Sequence, residues 1–110
     1  LYGVDLYTVY YNSHIHSTES DPVFYGCTVR KAVFGGSFIP IRILENETSV
    51  KEIIIETSVT YIADLAFSGC DRLTSIKYRG TSSQWSEIDK GYRWDEDTSP
   101  YEIIYNYTGE

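Results

Sequence analysis

Methionine is absent from the 110 residues, cysteine occurs twice, proline three times, and 9 Lys+Arg stand against 16 Asp+Glu. Each scarcity narrows the reading. Without Met, Leu1 is not expected to be a native start, and the chain reads as a mature or excised fragment of a longer protein. The formal net charge of −7 argues against a nucleic-acid groove and against a polybasic membrane contact, both of which need clustered positive charge. No apolar run approaches the roughly 20 residues of a membrane-spanning helix, and no signal-peptide pattern opens the chain. Neither a nucleic-acid partner nor membrane insertion is expected.

What is present is globular and strand-forming. Hydrophobic residues make up 42% and charged residues 23%, the composition of one folded domain. Tyr supplies 11 residues and aromatics 15%. With Ile, Val and Thr they favour pleated strands. No stretch keeps an apolar 3.6-residue rhythm long enough for a large helix.

An internal repeat organises the first eighty residues. Leu1-Tyr-Gly-Val4 matches Phe24-Tyr-Gly-Cys27 at an offset of 23, and Phe67-Ser-Gly-Cys70 matches again 43 further on. Short alternating runs begin at Leu6, Val29, Val50 and Leu73, spaced 23, 21 and 23. In the second half of each unit, Val59, Ile62 and Leu65 find partners at Phe38, Ile41 and Leu44, each 21 residues earlier. A unit of about 22 residues holds one short strand, a turn and a return segment, and buries its apolar side chains only by stacking on its neighbours.

Strand alternation assigns an inward set: Leu6, Val9 and Tyr11; Val29, Ala32 and Phe34; Val50, Ile53 and Ile55; Leu73, Ile76 and Tyr78. The outward set is Thr8 and Tyr10, Lys31 and Val33, Glu52 and Ile54, Ser75 and Lys77. Tyr10, Val33 and Ile54 are unusually apolar for positions expected to face solvent.

The unit SVTYIADLAFSGCDRLTSIKY, from Ser58 to Tyr78, closely resembles the repeat of BspA-type leucine-rich repeat proteins. Ser58, Val59, Thr60 and Ile62 fit its first segment, Ala66, Phe67 and Cys70 its turn, and Leu73 to Ile76 the start of its strand. Ala63 stands where that family usually has Gly, and Glu45-Asn46-Glu47 replaces the Phe-x-x-Cys turn in the second unit. The expected fold is mainly β with short helical turns: a short leucine-rich-repeat solenoid with a parallel strand ladder and a C-terminal cap. Residues 1–79 form about 3.5 degenerate repeats and residues 80–110 the cap.

The period is expected to stop after Tyr78. Gly80 to Trp94 resembles the terminal segment that often follows the last BspA-type repeat, with Ser82 or Ser83 capping a short helix through Trp85 and Ile88. Those two side chains would lie over the open end of the column, and Tyr101 to Tyr107 would close it as a strand. From Glu87 to Glu110 seven acids face two bases, −5 of the total charge.

Catalytic constellations are weak. Cys27 and Cys70 occupy equivalent turn positions two rungs apart, about 10 Å, too far for a disulfide; both are expected as free, buried thiols. His14 and His16, near Glu19 and Asp21, read as a solvated loop. No nucleophile elbow exists, Gly35-Gly36 is not a phosphate loop, and the carboxylates at Glu45, Glu47, Asp95, Glu96 and Asp97 fall in turns and cap. Asn46-Glu-Thr48 and Asn106-Tyr-Thr108 are glycosylation sequons.

The resemblance implies a non-enzymatic adhesion and interaction module, secreted or at the cell surface, that binds a host or cell-surface protein and needs no cofactor. The residues add a candidate contact strip: Tyr10, Lys31, Val33, Glu52, Ile54 and Lys77. A rival reading is a small free-standing acidic inhibitor, phage-borne in origin, whose Asp89, Asp95, Glu96 and Asp97 imitate phosphates at a basic site on a nucleic-acid-handling enzyme.

Overall fold

The computed structural model describes residues 5–13 and 28–109. His14, His16, Glu19, Asp21 and Cys27 lie outside the described residues. Within them the chain is a mainly β solenoid of about four turns, with one short helix.

Two parallel sheets run along its axis. One contains β1 (Asp5–Ser13), β2 (Thr28–Gly36), β4 (Glu52–Ile55), β6 (Ser75–Tyr78) and β8 (Glu102–Ile104), in that order. The other contains β3 (Phe38–Ile39), β5 (Tyr61–Ile62) and β7 (Asp89–Lys90). Leu6 pairs with Val29, Ala32 with Ile53 and Ile53 with Ile76. Those pairings reproduce the expected spacings of 23, 21 and 23.

The inward set forms the core. Val9, Val29, Ala32, Phe34, Val50, Ile53, Ile55, Leu73, Ile76 and Tyr78 are buried in one cluster, with Leu6 and Tyr11 packed against it. Rings from successive coils touch: Tyr11 with Phe34 at 6.4 Å between centroids, Phe34 with Phe67 at 5.7 Å, and Phe67 with Trp94 at 6.0 Å. Such contacts are each worth about 0.5–1.5 kcal/mol beyond the area they bury.

The second half of the unit keeps a different offset from the expected 21. Phe38 pairs with Tyr61 and Ile39 with Ile62, 23 residues apart. The corner between Phe34 and Phe38 is two residues shorter than the corresponding corner between Ile55 and Tyr61. Gly35 and Gly36, the latter at φ 73°, permit that tight corner. An ungapped comparison slid past it because branched apolar residues recur two positions apart. In the true register Leu44 stands over Phe67, Glu47 over Cys70 and Val50 over Leu73.

The return segments are held by an alternating scheme. The N–H groups of Arg42, Leu44 and Asn46 donate to the carbonyls of Asp64, Ala66 and Ser68 on the next coil, at 3.2, 2.9 and 2.7 Å. Those of Leu65, Phe67 and Gly69 donate in turn to Tyr92, Trp94 and Glu96, at 3.0, 2.8 and 2.8 Å. The intervening amides of Glu45, Glu47, Ala66, Ser68 and Cys70 close local turns. This path needs left-handed residues four apart: Arg42 and Asn46, Leu65 and Gly69, Arg93 and Asp97, with φ between 51° and 79°. Gly and Asn suit that region; Leu65 enters it against its side chain's preference. A Cβ on Gly69 would also lie 2.2 Å from Asn46 Oδ1.

Beyond Tyr78 the ladder does not stop. β7 pairs with β5 and β8 with β6 at spacings of 28 and 27. Helix α1 (Ser82–Glu87) lengthens this coil and hid its period. Thr81, rather than Ser82 or Ser83, is the N-cap, its hydroxyl accepting from the Gln84 N–H while the Gln84 side chain accepts from the Thr81 N–H. Trp85 and Ile88 join the core as expected, Trp85 meeting Tyr78 at 5.2 Å and Trp94 at 6.1 Å between ring centroids. The closing strand is shorter than the expected Tyr101 to Tyr107.

Glu47 is the one acidic residue at a turn position that the next coil fills with Cys70. Burial pushes its carboxyl up from 4.5 to about 6. Between those values the folded chain holds a proton that the unfolded chain has released, so stability falls as pH rises through the window. Glu47→Gln should therefore melt higher than the parent at about pH 7.5, by about 1 kcal/mol after discounting for partial exposure, and match it at about pH 4. Calorimetric melts at both pH values check this; identical curves at both would remove Glu47 as a source of strain.

Candidate functional site

The outward face of the five-stranded sheet is built from three rows, each one residue per coil. Register places Thr8, Lys31, Glu52, Ser75 and Glu102 in the first row, and Tyr10, Val33, Ile54, Lys77 and Ile104 in the second. Asn12 stands opposite Gly35, and Glu56 and Arg79 follow on the next coils as the third. All six residues of the expected strip thus fall on neighbouring positions of one face.

Their exposure differs from what alternation alone implies. Tyr10 is open, at 61% of its full accessible surface, but Val33 is buried at 7% and Ile54 at 0%. The strand phase holds, since Val33 and Ile54 lie outside the axial cluster that contains Ala32, Ile53 and Ile55. Facing outward and being wet are different properties here.

Charged side chains beside the apolar row are tied to one another. Glu52 accepts from Lys77 on one side, and Lys31 Nζ stands 3.3 Å away on the other. Burial alone would raise the Glu52 carboxyl, but the two ammonium groups outweigh it and hold it below the usual value. The same contact raises Lys77. Arg79 donates from Nε to Glu56 at 2.7 Å, and from Nη1 to the carbonyls of Tyr107 and Gly109 at 3.4 and 2.8 Å. The Tyr107 ring receives both cations, Lys77 at 4.8 Å and Arg79 at 5.6 Å from its centroid. The C-terminal segment is thereby clasped across the last rungs of this face.

Of the six expected residues, Tyr10 is open to solvent, Lys31, Glu52 and Lys77 form a bridged triad, and Val33 and Ile54 are buried. Sequence reasoning missed Tyr7, which is 64% exposed. The signal was there: two residues rather than one separate Leu6 from Val9, so Tyr7 and Thr8 both fall off the inward face.

Elsewhere the chemistry is quiet. The Cys70 thiol is buried, donates to the Leu44 carbonyl at 3.3 Å, and is pushed up to about 12 by burial and the neighbouring Glu47. Thiolate chemistry is closed to it at neutral pH. No group of His, Cys, Asp and Glu suited to a metal ion occurs among the described residues, and no helix there is long and apolar enough to cross a membrane. Comparison with protein-family models, curated proteins and solved structures returns no match.

Burial of Ile54 changes what substitution should do. Ile53→Asp and Ile54→Asp are both expected to unfold the domain, because each forces an unpaired carboxylate into a site without water. Ile54→Ala should cost about 2–4 kcal/mol. Thermal melts decide it: an Ile54→Asp variant that melts with the parent would mean that water reaches this position.

Proposed function

We propose that the chain is a non-enzymatic protein-binding module of a secreted or cell-surface leucine-rich repeat protein of the BspA type. On this reading residues 80–110 serve as the terminal cap, and the outward sheet face receives a host or cell-surface protein. The observation that carries it is the placement of Tyr10, an exposed aromatic, at the margin of a continuous five-strand face on which Lys31, Glu52, Lys77, Glu56 and Arg79 are already paired. A tyrosine offers large contact area for little lost side-chain freedom. Covering charges that keep their partners also avoids most of the penalty of stripping water from isolated ions. Val33 and Ile54 support this surface from beneath instead of touching a partner.

The acidic-inhibitor reading finds less support. Asp95 accepts from the Tyr101 hydroxyl at 2.8 Å, and Glu96 pairs with Arg93 at 3.3 Å. Two of the four carboxylates offered as phosphate mimics are therefore engaged within the chain.

Binding to an array of purified extracellular-matrix and cell-surface proteins tests the proposal. Saturable binding should weaken at least about tenfold with Tyr10→Ala, the cost of losing an aromatic anchor. It should persist when Asp89, Asp95, Glu96 and Asp97 are all made neutral, and should change little between about 50 and 300 mM salt. Loss of binding in the four-acid variant, with steep salt dependence, would favour the inhibitor reading and overturn this one.

A further inference from the structure

Positive charge is scarce in this chain, yet it gathers at one place. Two adjoining depressions of about 310 and 220 Å³ lie along the N-terminal margin of the large sheet and share Arg30 and Lys51. Tyr7 and Thr74 line the first, Thr28, Ser49 and Arg72 the second. With Lys31, this margin holds four of the chain's 9 Lys+Arg. Among the described residues the one carboxylate that lines it is Glu52, which is tied to Lys31 and Lys77.

The arrangement follows from the solenoid. The Lys51 N–H donates to the Arg30 carbonyl at 2.9 Å and the Thr74 N–H to the Lys51 carbonyl at 2.8 Å, so Arg30, Lys51 and Thr74 sit on three successive rungs. Arg72 lies two residues before Thr74 on the same coil. Three consecutive coils thus contribute one cation each, about 4.8 Å apart along the axis. Lys51 and Arg72 are exposed and form no ion pair among the described residues. At one end the Arg30 guanidinium stands 5.7 Å from the Tyr7 ring centroid, and that ring remains largely open.

We propose that this margin binds an anionic saccharide, one whose sugar rings carry sulfate or phosphate esters. Ester oxygens would accept from the Lys51 ammonium and the Arg72 guanidinium, as charge-assisted contacts at neighbouring rungs. The hydroxyls of Thr28 and Ser49 suit sugar hydroxyls. The Thr74 hydroxyl, which already donates to the Lys51 carbonyl at 2.8 Å, remains free to accept one. Tyr7 offers a platform for the C–H face of a ring. Duplex nucleic acid is the poorer fit, because its affinity grows with the number of phosphates neutralised, and the rest of this chain is strongly acidic. Tyr10 lines neither depression, and although Lys31 and Glu52 border both surfaces the site does not rest on the protein-binding proposal.

Titration calorimetry of the whole chain tests it at about 150 mM salt, where weak surface attraction is screened. The probes are a heparin-derived tetrasaccharide, its desulfated counterpart, a phosphorylated mannose oligosaccharide and a short DNA duplex. At least one ester-bearing saccharide should saturate at one site while the desulfated probe does not bind, and the preference between sulfate and phosphate identifies the source. Lys51→Ala and Arg72→Ala should each weaken binding about fivefold to tenfold. Tyr7→Ala should weaken it less, and Tyr10→Ala or Arg93→Ala should leave it unchanged, with melting curves confirming that each variant is folded. Binding that ignores both Lys51→Ala and Arg72→Ala, DNA binding as tight as that of the saccharides, or no binding to any ester-bearing probe would overturn the proposal.

Discussion

Everything in this structure depends on the register between one coil and the next. A single coil of about 22 residues cannot close around its own apolar side chains, so Phe34, Ile55, Phe67 and Tyr78 are fully buried only because other coils cover them. Strand pairs join residues 21 to 28 apart in sequence, and the return segments repeat the same connection through Leu44, Asn46, Phe67 and Gly69. A slip of one residue would turn the inward row out along a whole strand. The left-handed residues at 42, 46, 65, 69, 93 and 97 are the local conformations this register demands, and Leu65 shows that stacking overrides local preference.

Much of this was legible in the sequence. Strand spacing, inward phase and parallel pairing follow from periodicity, and the burial of Trp85 and Ile88 from their sharing one face of a short helix. Three features were not. The Gly35-Gly36 corner is two residues shorter than the corner of the next coil, which similarity between branched side chains concealed. The coil after Tyr78 carries an inserted helix, which lengthened its period beyond recognition. The burial of Ile54 and Val33 depends on what lies over the sheet, and alternation reports only direction.

The outward face and its N-terminal margin make opposite use of charge. On the face, Glu52 and Glu56 hold Lys31, Lys77 and Arg79, and Tyr10 stands open beside them. At the margin, Lys51 and Arg72 point their charge outward without a carboxylate partner among the described residues. A repeat fold allows both, because each row of the stack repeats one position, and one position can be changed in every coil without disturbing the core.

The central claim, that coil-to-coil bonding sustains the irregular turns as firmly as the strands, is tested most directly by native-state amide hydrogen exchange. The amides of Leu65, Phe67 and Gly69 have no local carbonyl partner and donate only across coils. They should exchange as slowly as those of Ile53 and Ile76, through the same global opening. Exchange of these three at the rate of exposed loops, with the strands still protected, would show that the last coil is not part of the stack.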